Sequence, residues 1–462
     1  MTDGSRSGVV LVTPEPVAER MAGPAIRALE LARALARDGR SGPVSLVSLA
    51  AVDRQDPQVT VLAAADRARL RRLVAGAAVV VVQGDVLGLH PWLADEPVPI
   101  VVDAYDPYHL EQLEQARPLG EARRRAVVRD CVRSLNTQLA RADLVLCASP
   151  RQRALWLGHL AALGRVNPLT YDAAPDLSRL VAVVPFGVSD TPAPARDRAV
   201  LRQAFPALED DDVVLLWGGG IYEWFDPEVL VRAVARVLPA QPRVRLVFLG
   251  TRHPVPGVRT ATSAAREAAA ETGVLDRAVF FHDGWVPYDE RGRWLAAADV
   301  GVSTHKDHVE TEFSFRTRLL DYLWASLPIV ATSGDSLASL IETSGIGLTV
   351  PPGDVDALED ALFRLLDDDA LNASCRTAIE RVVPRYRWST VLEPLLEFCR
   401  TPSRAADLVD PETAAMVGSL HTGMWDQIGW RADLRKAVRF LRRREWRALR
   451  AKLEQRFSPR PR

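Results

Sequence analysis

Short apolar, β-branched runs recur along the chain, separated by stretches with helical spacing. Val9 to Val12, Val44 to Leu49, Val79 to Val82, Ile100 to Val102, Leu144 to Cys147 and Val181 to Val184 form a first series. These runs are continuous and do not alternate polar with apolar, which is how strands covered on both faces of a parallel sheet read. A Pro- and Ala-rich stretch, SDTPAPARD from Ser189 to Asp197, interrupts them. The series then restarts with Val213 to Trp217, Arg245 to Leu249, Ala278 to Phe281, Val300 to Ser303, Ile329 to Ala331 and Leu348 to Val350. Two successive α/β sheets joined near residues 188–212 are predicted. Such sheets bind ligands outside the carboxyl ends of their strands, so the chemistry is expected in a cleft between them.

Beyond about residue 401 the pattern changes. Trp430, Leu434, Val438 and Leu441, then Trp446, Leu449, Leu453 and Phe457, recur at three- and four-residue spacing with arginines between them. This spacing predicts a basic amphipathic helix or two, suited to an anionic membrane surface or to packing on protein.

Composition narrows the class. The 462 residues are 48% hydrophobic and 25% charged, enough for two cores. A net charge of -1 gives no general attraction for a polyanion, so no nucleic-acid partner is expected. Cys131, Cys147, Cys375 and Cys399 are scattered without a CxxC pair, which argues against a disulfide scaffold or zinc knuckle and for a reducing cytoplasm. No apolar run approaches the length of a membrane span, and the N-terminal one is too short for a signal sequence.

One segment mixes charge with apolar stripe: HVETEFSFRTRLLDYLWASLPIVAT, His308 to Thr332. Glu310 and Glu312 precede an expected helix, Arg316 and Arg318 fall in its first turns, and Leu319, Leu320, Leu323 and Trp324 form its inward stripe. Asp321 follows Arg318 by three residues, near one helical turn. Arginine forks suit phosphate oxygens and a carboxylate suits a ribose diol. A surface salt-bridge cluster is the alternative, but the segment follows a strand of the second sheet, where a ligand is expected.

Two glycine-bearing turns also follow strands. Gly23, ahead of Pro24 in MAGPAIRALELARALARDG, either opens a helix whose free amides face an anion or makes a plain tight turn. Gly218, Gly219 and Gly220 in WGGGIYEW fail the dinucleotide pattern because Glu223 stands where its last glycine belongs. Either a close approach of backbone to ligand or a tight turn accounts for them. In DAYDPYHLEQ, Asp103, Asp106 and His109 are expected at the ligand end of the fourth strand, with Asx-turn roles as the other account of the aspartates. His305 and His308 lack a third ligand, so no metal is expected.

Taken together, the glycine loop and first helix, VVPFGVSD ahead of the linker, and EFSFRTRLLDYLWASLPIVAT make the chain resemble the retaining nucleotide-sugar-dependent glycosyltransferases of the two-Rossmann GT-B fold, the family usually numbered four. The resemblance runs from about Val9 to Arg400. It implies an acceptor-side domain over residues 1–190, a nucleotide-sugar domain over 191–385, a helix crossing back over 386–400 and an added tail over 401–462. By the same resemblance the family's ribose-binding acid falls on Asp321, and its acid against the donor sugar falls on Phe313, with Glu310 and Glu312 nearby. The base usual after the first strand of the second domain is missing, leaving Arg316 and Arg318, or Lys306, to hold the diphosphate with amides near Gly23, Gly219 and Gly220. His109 is the first candidate for the family's sugar-contacting histidine and His90 the second.

The implied reaction transfers a sugar from a nucleoside-diphosphate sugar to an acceptor hydroxyl with retention and without metal or other cofactor. Glycan, lipid-linked and small-molecule acceptors all fit, in cell-surface polysaccharide, glycolipid or natural-product glycosylation. The enzyme is expected in the cytoplasm or peripherally on the inner membrane face. A nucleotide-sugar epimerase and a catalytically degenerate scaffold are the alternatives.

Overall fold

The computed structural model describes residues 6–425 apart from positions 65 and 256. The basic amphipathic segment expected from Trp430 onward lies outside the described residues. The first sheet contains β1 (Val9–Thr13), β2 (Val44–Ser48), β3 (Thr60–Ala63), β4 (Val79–Gln83), β5 (Ile100–Asp103), β6 (Leu144–Cys147) and β7 (Val181–Val183). Its order is β3-β2-β1-β4-β5-β6-β7, with parallel pairing throughout. The second sheet contains β8 (Val213–Gly220), β9 (Val244–Gly250), β10 (Val279–Phe281), β11 (Val300–Ser303), β12 (Ile329–Thr332) and β13 (Gly347–Val350), ordered β10-β9-β8-β11-β12-β13 and again parallel.

Burial follows the sequence pattern. Every residue of β1, β4, β5 and β6 is buried, because crossover helices cover both faces of a parallel sheet. The strand missed in sequence, β3, is one of the two edge strands, and Thr60 and Ala63 at its ends are exposed. An edge strand needs no continuous apolar run, so its signal is weak. Asp103 therefore ends the fifth strand and not the fourth. One apolar core extends through both domains: Phe186 of the first packs 5.0 Å from the ring of Trp388, while Leu392 and Leu395 of the late helices join the same cluster.

Two expectations for the second domain change. The charged segment folds as two helices, Val309–Phe313 and Thr317–Trp324, not one. Trp324 is only partly buried, with its indole donating to Thr191 O at 2.7 Å, and the wholly buried aromatic is Tyr322. The tyrosine's polar tip explains why it can go inside. Its hydroxyl accepts Gly218 N–H at 2.9 Å and lies 2.8 and 2.9 Å from the carbonyls of Leu216 and Val302. It thus takes up backbone groups where β8 and β11 diverge. A Cβ on Gly301 would approach within 2.2 Å of the Tyr322 ring, so only glycine leaves room for it.

In each sheet the chain order reverses at one place, between β1 and β4 and between β8 and β11. These are the points where crevices open at strand carboxyl ends.

Candidate functional site

The loops after β1, β5, β8 and β11 meet across a cavity of about 630 Å³ lined by both domains. Gly23 begins the helix Gly23–Asp38 with Pro24 in its first turn, and a Cβ on Gly23 would lie 4.0 Å from the Tyr105 hydroxyl. Opposite, β8 breaks register with β9 between Trp217 and Gly220. Gly219 takes φ 126°, and a Cβ on Gly250 would lie 2.3 Å from the Gly219 carbonyl carbon. The glycine run therefore serves close backbone packing at the cavity wall.

Arg318 is the best-placed cation. Its Nη2 donates to Gly220 O at 2.5 Å, and its guanidinium lies 4.3 Å and 4.1 Å from the ring centres of Trp217 and Phe225. The two rings and the carbonyl fix the plane of the fork. Nη1 is buried without a protein partner, while the residue lines the cavity. Burial lowers its pKa to about 10, which leaves it cationic at neutral pH.

Arg316 does different work. It donates through Nη1 and Nη2 to the Glu310 carboxylate at 2.9 and 2.6 Å, and its Nε lies 3.9 Å from Asp335. Its charge is matched by protein acids, so its main role is to hold Glu310, which is 1% exposed, at the cavity wall. Asp321 also lines the cavity, 3.3 Å from Arg291. Burial raises its pKa and Arg291 opposes the rise.

Gly23, Gly219, Gly220, Glu310, Arg316, Arg318 and Asp321 thus converge on one cavity. Glu312 and His109 are not among its lining residues. Glu312 is exposed. His109 lies 5.9 Å from the Trp156 ring, with Nδ1 buried and unpartnered, and burial followed by His159 brings its pKa down to about 4. The reason is helical spacing: in Tyr108–Gln115 the residues that line the cavity are Glu111, Gln112 and Gln115, and His109 belongs to another face.

The acids that the sequence reading did not pair are Asp106 and Glu111. They hydrogen-bond to each other, and both pKa values are raised, first by burial. Two carboxyls in contact cannot both ionise at low cost, so the pair tends to keep a shared proton. The polar positions Glu111, Gln112 and Gln115 fit helical spacing, but an ordinary solvated face has the same pattern. Among the described residues no three His, Cys, Asp or Glu side chains come together as a metal set. His305 lies 3.8 Å from Asp335, and burial brings its pKa down to about 3.

Residues 212–368 match the family model described as "Glycosyl transferases group 1". The chain is 28% identical over 241 residues to a D-inositol 3-phosphate glycosyltransferase of Nocardioides sp., a match covering 50% of each chain. It spans about half the length of the curated relatives it matches. Among solved structures it is similar to the sucrose-phosphate synthase of Thermosynechococcus elongatus, with TM-score 0.61, 17% identity, and 86% of this chain and 98% of the other covered. Anabaena HepE in complex with UDP-glucose gives TM-score 0.59 at 16% identity, covering 84% and 98%. Two facing parallel sheets and these likenesses identify the fold as GT-B, and residues 212–368 are similar to the group 1 glycosyltransferase model.

Proposed function

We propose that this protein is a glycosyltransferase that moves a sugar from a nucleoside-diphosphate sugar to an acceptor hydroxyl with retention of configuration. The observation that carries the reading is Arg318, a cation held by two rings and a carbonyl with one donor unpaired, placed between the Gly218–Gly220 end of β8 and Asp321 on a cleft between two sheets. In this reading Arg318 binds the diphosphate and Asp321 the ribose hydroxyls. The glycosidic C1–O bond to the diphosphate breaks, a C1–O bond to the acceptor forms, and the acceptor hydroxyl's proton passes to the leaving diphosphate oxygen.

Negative charge gathers on the leaving diphosphate. A fixed guanidinium in a partly water-excluded cleft stabilises that charge without reorganising, which supports a metal-independent transfer. The group 1 match, the curated relatives' names and the UDP-glucose complex of HepE support the same reading.

Calorimetry against UDP, GDP and dTDP tests the donor half, with Arg318→Ala and Asp321→Ala alongside. Selective binding of one nucleotide, weakened in both variants, is the expected outcome. Absence of binding by any of the three would leave a GT-B scaffold without catalysis. The anomeric configuration of the product, read by NMR, checks retention, and release of free epimerised sugar without acceptor would point to an epimerase.

A further inference from the structure

From the first domain's side of the cleft we infer that the acceptor bears an amine close to the hydroxyl that is glycosylated, and no phosphate. This inference rests on the glycosyltransferase reading and concerns the acceptor end of the same cleft. A second cavity of about 140 Å³ branches from that end, sharing Glu15, Pro24, Tyr105 and Asp106 with the main one. Hydrogen-bond acceptors dominate its polar lining.

Glu15 and Asp106 border the branch, and Glu111 borders the adjoining cavity. Gln138 is 1% exposed, lines the branch, and has a buried Oε1 without a partner. The neighbouring donors already have protein acceptors. Gln138 Nε2 donates to Tyr108 Oη at 3.3 Å, Tyr108 Oη to Cys131 O at 3.4 Å, and Gln83 Nε2 to Asp103 at 3.2 Å. A buried amide oxygen left empty costs free energy, so a ligand that donates to it is favoured there.

Positive charge is scarce on this wall. Arg27, behind Asp103, is wholly buried and spends its fork on that carboxylate and on the carbonyls of Val184 and Pro185. Arg123, the cation of this domain that lines the main cavity, is exposed. A phosphate dianion would therefore meet acids whose neighbouring cation, Arg316, is already held by Glu310, whereas an ammonium offers three donors and one positive charge. Burial raises the pKa of Glu15, Asp106 and Glu111, an unfavourable state for anions that a cation among them relieves. A neutral polyol satisfies the acceptors but not the charge.

Calorimetry on the full chain saturated with its nucleotide tests this with matched probes: glucosamine, glucose and glucose 6-phosphate, then 2-deoxystreptamine and myo-inositol. The amine of each set is expected to bind at least tenfold more tightly than its hydroxyl counterpart. That margin should shrink in Glu111→Gln and in Gln138→Leu, with a cooperative melting transition as the sign that both variants are folded. Equal or tighter binding of glucose 6-phosphate, an unchanged margin in both variants, or no binding by any probe to the nucleotide-loaded protein would overturn the inference and leave the donor reading intact. Failure of the nucleotide itself to bind would remove both.

Discussion

Arg316 and Arg318 are two residues apart and look alike in sequence, yet the fold gives them separate tasks. Arg316 is neutralised by Glu310, whereas Arg318 keeps a buried Nη1 unpaired beside the cavity. Arg318→Lys keeps the charge but loses the fork and the stacking on Trp217 and Phe225. Calorimetry should show nucleoside-diphosphate affinity reduced about tenfold, ~1.4 kcal/mol. A second prediction concerns Glu111, which faces Asp106, Glu310 and Arg316. Its native pKa is raised, so above the ordinary glutamate value of about 4.3 the folded state holds a proton that the unfolded state has released. Stability then falls as pH rises through that window. Glu111→Gln escapes this loss, and its melting temperature should gain on wild type as pH rises above the ordinary glutamate value, by calorimetric scans. Sequence brought Arg318 and Asp321 forward because a charged cluster opened an apolar helix. The Asp106–Glu111 contact depends on how the loop after β5 folds against the next helix, which spacing does not reveal.

At the scale of elements, the critical joint is where β8, β11 and the helix Thr317–Trp324 meet. Tyr322 pins the start of the glycine run of β8 through Gly218 N–H and reaches the carbonyls of Leu216 and Val302. Tyr322→Phe strands these buried groups. A loss of about 1–3 kcal/mol in denaturant unfolding is expected. Because the glycine end of β8 would loosen, donor KM should rise more than kcat falls. The elements themselves were mostly legible: β6 and β11 span the residues read from their apolar runs. The break between Val309–Phe313 and Thr317–Trp324 was not, since neither proline nor glycine marks it and Arg316 occupies the N-cap without a side-chain cap. Tertiary bonds settle it, with Gln152 of the first domain donating to Phe313 O at 2.8 Å.

For the whole molecule, the two domains are fastened on more than one side of the cleft. Trp285 donates to Met21 O at 2.9 Å and Arg20 to Trp285 O at 2.8 Å, while Arg151 donates to Gly334 O at 2.6 Å. Farther along, Asp407 ties the C-terminal extension to the first domain by pairing with Arg165 at 2.6 Å, both side chains fully buried. Asp407→Ala leaves an uncompensated buried guanidinium, and chemical denaturation should show a loss of about 3–5 kcal/mol. Sequence alone determined the doubly repeated α/β plan, because a parallel sheet covered on both faces requires continuous apolar strands whatever their partners. It also determined which charges approach the second sheet's ligand end, since position after a strand fixes that. Only the tertiary structure decided that His109 turns from the cleft, that Arg316 is already paired, and that acceptor groups line the first domain's wall. Those outcomes depend on which buried polar group finds a partner across the chain, and partners such as Arg165 and Asp407 are brought together only by packing.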